Sequence, residues 1–135
     1  MAQVLKDVDV VVEGKTSRLK ALFNSGSRFT VMGYRTLRER FRDVEVKRLP
    51  EKIEAILLNG QKVIIDAYID SEIRIGKYRV YDRIYLSEDV EREVIAKGER
   101  KLLPELIIGA PTLETRGLEL DLKTGEVVSR GIFII

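Results

Sequence analysis

The chain has 135 residues, room for one domain with a real core but cramped for two, and is read as a single domain over 1–135. With 44% hydrophobic and 34% charged residues it is a globular sequence, and a net charge of +2 makes no electrostatic case for DNA, RNA or an anionic membrane. It contains no Cys and no His, which excludes disulfides, thiolate chemistry, Ser-His-Asp catalysis and His-bound zinc, and leaves carboxylates, Lys, Tyr or an oxygen-bound metal.

In chain order, Val4 to Val12 alternates around Val8, Val10 and Val12, with Asp7 and Asp9 between, and predicts a strand. Glu13-Gly14-Lys15 turns, and Thr16 to Phe23 returns as the second arm of a hairpin. From Met32 to Phe41 the period changes. Tyr34, Leu37 and Phe41 fall on one face of a short helix, and Arg35, Arg38, Arg40 and Arg42 lie mostly on its solvated side. Val44 to Leu49 reads as a strand ended by Pro50. Ile53 to Leu58, Asn59-Gly60 and Gln61 to Ile65 form the clearest hairpin, because Asn-Gly between apolar runs suits a primed turn. Asp66 to Ile75 is expected as a further strand, and Tyr78 to Leu86 as its partner across Gly76-Lys77. Ser87 to Gly98 reads either as a helix, with Ser87 at its start and acidic residues in its first turn, or as a long polar loop.

Leu102 to Ile108 is apolar apart from Pro104-Glu105, and Gly109 ends it. Pro111 to Arg116, followed by Gly117, predicts a short helix. Leu118 to Leu122 alternates, Lys123-Thr124-Gly125 turns, and Glu126 to Ile135 is expected as a closing apolar strand that must be paired or covered. The whole predicts an all-β closed or sandwich-like barrel of short strands with one to three short helices. No apolar run is long enough to span a membrane and no secretory signal is visible after Met1, so a cytoplasmic protein is expected. Few amides and many Lys, Arg and Glu suit a thermophile.

One stretch stands apart. Ala21-Leu22-Phe23 runs into Asn24-Ser25-Gly26-Ser27 before Phe29 to Met32 resumes the apolar pattern. Taken alone this is an ordinary turn. It also resembles the active-site loop of aspartic peptidases: two apolar residues, then Asp, Ser or Thr, Gly and a small residue. Leu22, Phe23, Ser25, Gly26 and Ser27 fit, and Asn24 stands at the place of the catalytic Asp. Leu106-Ile107-Ile108-Gly109-Ala110 and the helix after it resemble the second hallmark of the retropepsins, and the Asn59-Gly60 hairpin lies between, where their flap belongs. The order of the motifs from about Val4 to Leu122 is similar to one retropepsin-like domain.

The resemblance implies a closed β-barrel and an endopeptidase without cofactor or metal, working as a homodimer on peptide or protein substrates. In that family two aspartates share one proton, because like charges about 3 Å apart cannot both ionise. The ionised member deprotonates a water and the other polarises the scissile carbonyl. By resemblance, the Asn24, Ser25 and Gly26 triplet is the catalytic loop, with the Ser25 hydroxyl bonding between the two loops, and Ser27, Leu58, Asn59, Gly60 and Ile108 contact substrate. Asn24 cannot ionise, but its carboxamide still forms hydrogen bonds and is nearly isosteric with Asp. This form is therefore expected to be inactive. Two readings of Asn24 stand open: an aspartate replaced to silence a working peptidase, or a natural peptide-binding pseudo-enzyme. The other rival is a non-enzymatic barrel that takes a partner strand by strand addition.

Overall fold

The computed structural model of the chain describes residues 3–57, 60–88 and 90–131. The first hairpin forms as expected from β1 (Gln3–Val12) and β2 (Lys15–Asn24). Its two turn residues, Glu13 and Gly14, have φ of 50° and 78°, the pair of left-handed conformations that matches a primed turn to the twist of the strands. Val8, Val10 and Val12 on β1 and Leu19, Ala21 and Phe23 on β2 are buried on one face of the ribbon. Each of the larger side chains among them contributes about 1.5–3 kcal/mol by leaving water.

The chain then forms β3 (Val31–Gly33) and α1 (Tyr34–Arg40). The expected helix thus starts two residues late. Val31, Met32 and Gly33 are drawn into a sheet by parallel pairing with Tyr85, Leu86 and Ser87, an edge that no local pattern announces. Leu37 and Phe41 are buried and Tyr34 packs against them, as the period implied. Two helix arginines are ion-paired on the outside, Arg35 with Glu93 at 3.1 Å and Arg40 with Glu105 at 2.8 Å.

Two expected strands on either side of Pro50 are one, β4 (Lys47–Ile56), and the next two are also one, β5 (Lys62–Ile75). Pro50 produces a register shift between Arg48 and Ile53 rather than an end. A proline is tolerated there because β4 is an edge strand, paired among the described residues with β5 alone. β6 (Tyr78–Ser87) runs antiparallel to β5 along its whole length.

Ser87 to Gly98 is neither helix nor plain loop. It leads into β7 (Arg92–Ala96), which pairs with β8 (Glu99–Leu103) across a tight turn at Lys97-Gly98 with φ of 53° and 76°. The Ser87 hydroxyl donates to the Ile64 carbonyl. One acidic residue of this stretch serves a different helix: the Glu91 carboxylate accepts the Thr36 backbone N–H at 3.0 Å, in the first turn of α1. Gly33, the N-cap of α1, has no side chain to do this.

β9 (Leu106–Gly109), α2 (Ala110–Glu114), β10 (Leu118–Leu120) and β11 (Val127–Ser129) complete the chain. Of the expected closing strand, the described part is Val127–Ser129, which pairs with β10 of the same chain. Ile132 to Ile135 lie outside the described residues. β1, β2, β9, β3, β6 and β5 pair in a ring, since β1 also pairs with β5, and β4 hangs from β5 beside the ring. The main core fills the barrel. A second cluster of Val31, Val63, Ile65 and Val90, with Phe29 and Leu57 against it, lies between β3 and the β4–β5 hairpin.

Candidate active site

Asn24 is the last residue of β2, and it is 7% exposed. Its Oδ1 accepts the Gly26 N–H at 3.0 Å, and the Ser27 N–H donates to its carbonyl at 3.0 Å. The side chain therefore closes its own turn, as Asn and Asp do. Ser25 and Gly26 form the exposed tip. Ser27 Oγ donates to the Phe29 carbonyl at 2.7 Å and the Ala110 N–H reaches the Ser27 carbonyl at 3.2 Å, so the far side of the turn is tied to α2.

β9 lies directly behind. It pairs in parallel with β2, with Phe23 opposite Ile108 and Asn24 opposite Gly109. A Cβ on Gly109 would stand 2.7 Å from the Ser27 carbonyl oxygen and 2.9 Å from that of Phe29. Glycine is required there by close approach and not by backbone conformation, because φ is −88°. The Gly109 N–H donates to Thr30 Oγ1 at 3.1 Å, and Thr30 Oγ1 lies 2.6 Å from Thr112 Oγ1. Both threonines are buried, so this chain of hydrogen bonds locks the turn to the strand and helix behind it.

The carboxamide opens on a groove of about 870 Å³. Its floor is Val31, Val63, Ile65 and Ile107, the Asn24 turn supplies Ser27, Arg28 and Phe29, and the β4–β5 hairpin supplies Glu54 to Leu57 with Gln61. A third wall is Val90, Glu91 and Arg92 with Leu103 and Pro104. Gln3, opposite Asn24 in the β1–β2 register, and Leu22 border the groove on the remaining side.

Of the expected substrate contacts, Ser27 lines this groove and Ile108 does not. Ile108 is 1% exposed and belongs to the barrel core. Its neighbour Ile107 lines the groove instead, because side chains alternate along β9. Gly60 has φ of 85° and donates its N–H to the Leu57 carbonyl at 2.9 Å, closing the β4–β5 turn. Leu58 and Asn59 lie outside the described residues. The Val90 to Arg92 wall was missed, since its hairpin was not recognised, and Leu22, two residues before Asn24 on the same strand, was read only as part of the motif. Among the described residues no three His, Cys, Asp or Glu side chains converge as metal ligands do, and no helix is long and apolar enough to cross a membrane.

No family model matches the chain, and no curated protein sequence matches it. Solved structures do. The retroviral protease-like domain of Ddi1 from Leishmania major superposes with a TM-score of 0.58 at 19% identity, over 96% of this chain and 90% of that one. The EIAV protease, solved with the inhibitor HBY-793, superposes with a TM-score of 0.60 at 14% identity, over 90% of this chain and 94% of that one. The fold is thus the all-β retropepsin-like barrel, with two short helices among the described residues.

Proposed function

We propose that the chain binds extended peptides in this groove as a two-fold homodimer, and that with aspartate at position 24 it is an aspartic endopeptidase. The observation that carries this reading is the setting of Asn24. A carboxamide is held by a backbone N–H at the end of a buried strand, at the mouth of a peptide-sized groove, in a barrel shared with retroviral proteases.

Aspartate at 24 keeps the Gly26 N–H on one oxygen and directs the other to the groove. One such group is an incomplete catalyst, because water activation needs a base and carbonyl polarisation needs an acid at once. A second copy supplies the partner group. Two carboxyls brought together then hold one proton between them, so one takes a proton from water while the other donates to the carbonyl oxygen. The proton taken from water goes on to the leaving amine. Exposed Leu5, directly across from Leu22 at the groove border, offers apolar surface to the second copy. With Asn24 in both copies neither side chain can act as base, and the site binds without cutting.

The test compares the parent with Asn24→Asp on a denatured protein and a peptide library from acidic to neutral pH, with sedimentation equilibrium of both. The expected result is a dimer in each case and acid-optimal, pepstatin-sensitive cleavage by the Asp form alone. An Asp form that binds peptide but never cleaves overturns the catalytic part and leaves a pseudo-protease. A chain that stays monomeric with bound peptide overturns the shared site.

A further inference from the structure

Building on the peptide-binding reading, we infer that the groove selects peptides carrying an acidic side chain beside the apolar centre, with Arg28 and Arg92 as the specificity-determining residues. Four charged side chains line the groove: Arg28, Glu54, Glu91 and Arg92. Both carboxylates have a positive or donor group beside them. Glu91 accepts the Thr36 N–H at 3.0 Å, and its head fills the space beside Gly33, where a Cβ would lie 2.0 Å from it. Glu54 lies 3.8 Å from Lys62 Nζ. Neither the Arg28 nor the Arg92 side chain has a hydrogen bond or an ion pair among the described residues. Among the described residues the groove therefore presents two guanidiniums without a side-chain partner, while one of its two carboxylates is held by a backbone N–H and the charge of the other is offset by a nearby lysine.

Their placement makes them useful. Arg28 leaves the Asn24 turn just before Phe29, whose ring packs edge-on against Tyr85 at 5.2 Å. Arg92 opens β7 opposite Leu103, another wall residue, and the residue before it is Glu91. Glu91 thus acts as a positioning residue: by docking on α1 it pins the root of the hairpin, and with it Arg92, at the groove. An extended peptide advances about 3.3 Å per residue and turns alternate side chains to one wall. The apolar floor takes the central side chains, and the two arginines, from separate segments of the wall, meet flanking ones. Arginine takes a carboxylate through paired N–H donors in one plane, and a neutral amide, with a single uncharged oxygen and an NH2 donor in place of the second, cannot match it.

The experiment uses the parent chain, which does not consume its ligand. Fluorescein-labelled decapeptides with an apolar central pair carry one Glu at each flanking position in turn, each matched by a Gln isostere, and binding is read by anisotropy. At one or more positions Glu is expected to bind about threefold to tenfold tighter than Gln. The advantage should shrink at about 1 M salt, where the screening length is about 3 Å. Arg28→Gln or Arg92→Gln should abolish it, and Arg92→Glu should turn it towards Lys. Both arginines are exposed, and an unchanged thermal midpoint shows that the variants fold. Equal binding of Glu and Gln peptides at every position overturns the inference and leaves the peptide-binding reading standing. A Glu preference that survives both Arg→Gln variants overturns the assignment to these residues. No binding by any peptide, with no cleavage by Asn24→Asp, overturns the peptide-binding reading and this inference with it.

Discussion

Gly109→Ala tests whether the Asn24 turn is rigidly backed. The added methyl meets backbone atoms, 2.7 Å from the Ser27 carbonyl oxygen and 2.9 Å from that of Phe29, so turn and strand must part by about 0.7 Å to reach ordinary contact. The backbone at 109, with φ of −88° and ψ of 159°, suits alanine, so the contact alone is charged with the effect. Overpacking of this kind costs about 1–3 kcal/mol. Weakening the Gly109 N–H bond to Thr30 and the Ala110 N–H bond to Ser27 adds about 1 kcal/mol. At about 2.1 cal/mol/K of unfolding entropy per residue, a loss of ~3 kcal/mol lowers Tm by about 10 °C in a chain of 135 residues. Gly33→Ala is the control. Its Cβ lies closer to a neighbour, 2.0 Å, but that neighbour is the far end of the Glu91 side chain and not backbone. The carboxylate can swing out at the cost of its bond to Thr36 and its place at the helix N-terminus, about 1–2 kcal/mol in all. Urea and thermal unfolding of both variants measure the order. A Gly109→Ala chain within about 0.5 kcal/mol of the parent, or less affected than Gly33→Ala, would refute the reasoning.

Two further outcomes follow from the packing. Tyr34 donates its hydroxyl to Asp66, and burial, with that carboxylate second, pushes the phenol up to about 12. The folded state therefore holds this proton more tightly than the unfolded one. Its contribution is whole below pH 10 and is lost as pH rises through about 12, so Tyr34→Phe should flatten that alkaline decline in a pH series of urea midpoints. On β9, Ile108→Ala should cost about 2–5 kcal/mol of stability through a core cavity and leave peptide affinity intact in the folded fraction. Ile107→Ala should instead weaken peptide binding, measured by the same anisotropy assay, since Ile107 lines the groove.

Much of the barrel was legible in the sequence, because its information is local. Alternation at Val8, Val10 and Val12 and at Leu19, Ala21 and Phe23 names one buried face, and Glu13-Gly14 names the turn between. The Tyr34, Leu37 and Phe41 period names the helix, and Pro111 with Gly117 brackets the second one. The order of Asn24-Ser25-Gly26, a hairpin and Ile107-Ile108-Gly109 was sufficient to point to the retropepsin-like fold that the superpositions bear out. What the tertiary structure alone decided depends on partners distant in sequence. Val31 to Gly33 became a strand because Tyr85 to Ser87 offered it an edge. Ser87 to Gly98 could be read as a helix or a polar loop because acidic residues after a Ser suit the first turn of a helix, and Glu91 does serve one, 55 residues away at Thr36. The choice of Ile107 over Ile108 for the groove was set by register: parallel pairing of β9 with β2 turns Ile108 inward beside Phe23. A one-residue change of register exchanges the faces of a strand, and no local pattern in an all-apolar Leu106-Ile107-Ile108 run says which face is which.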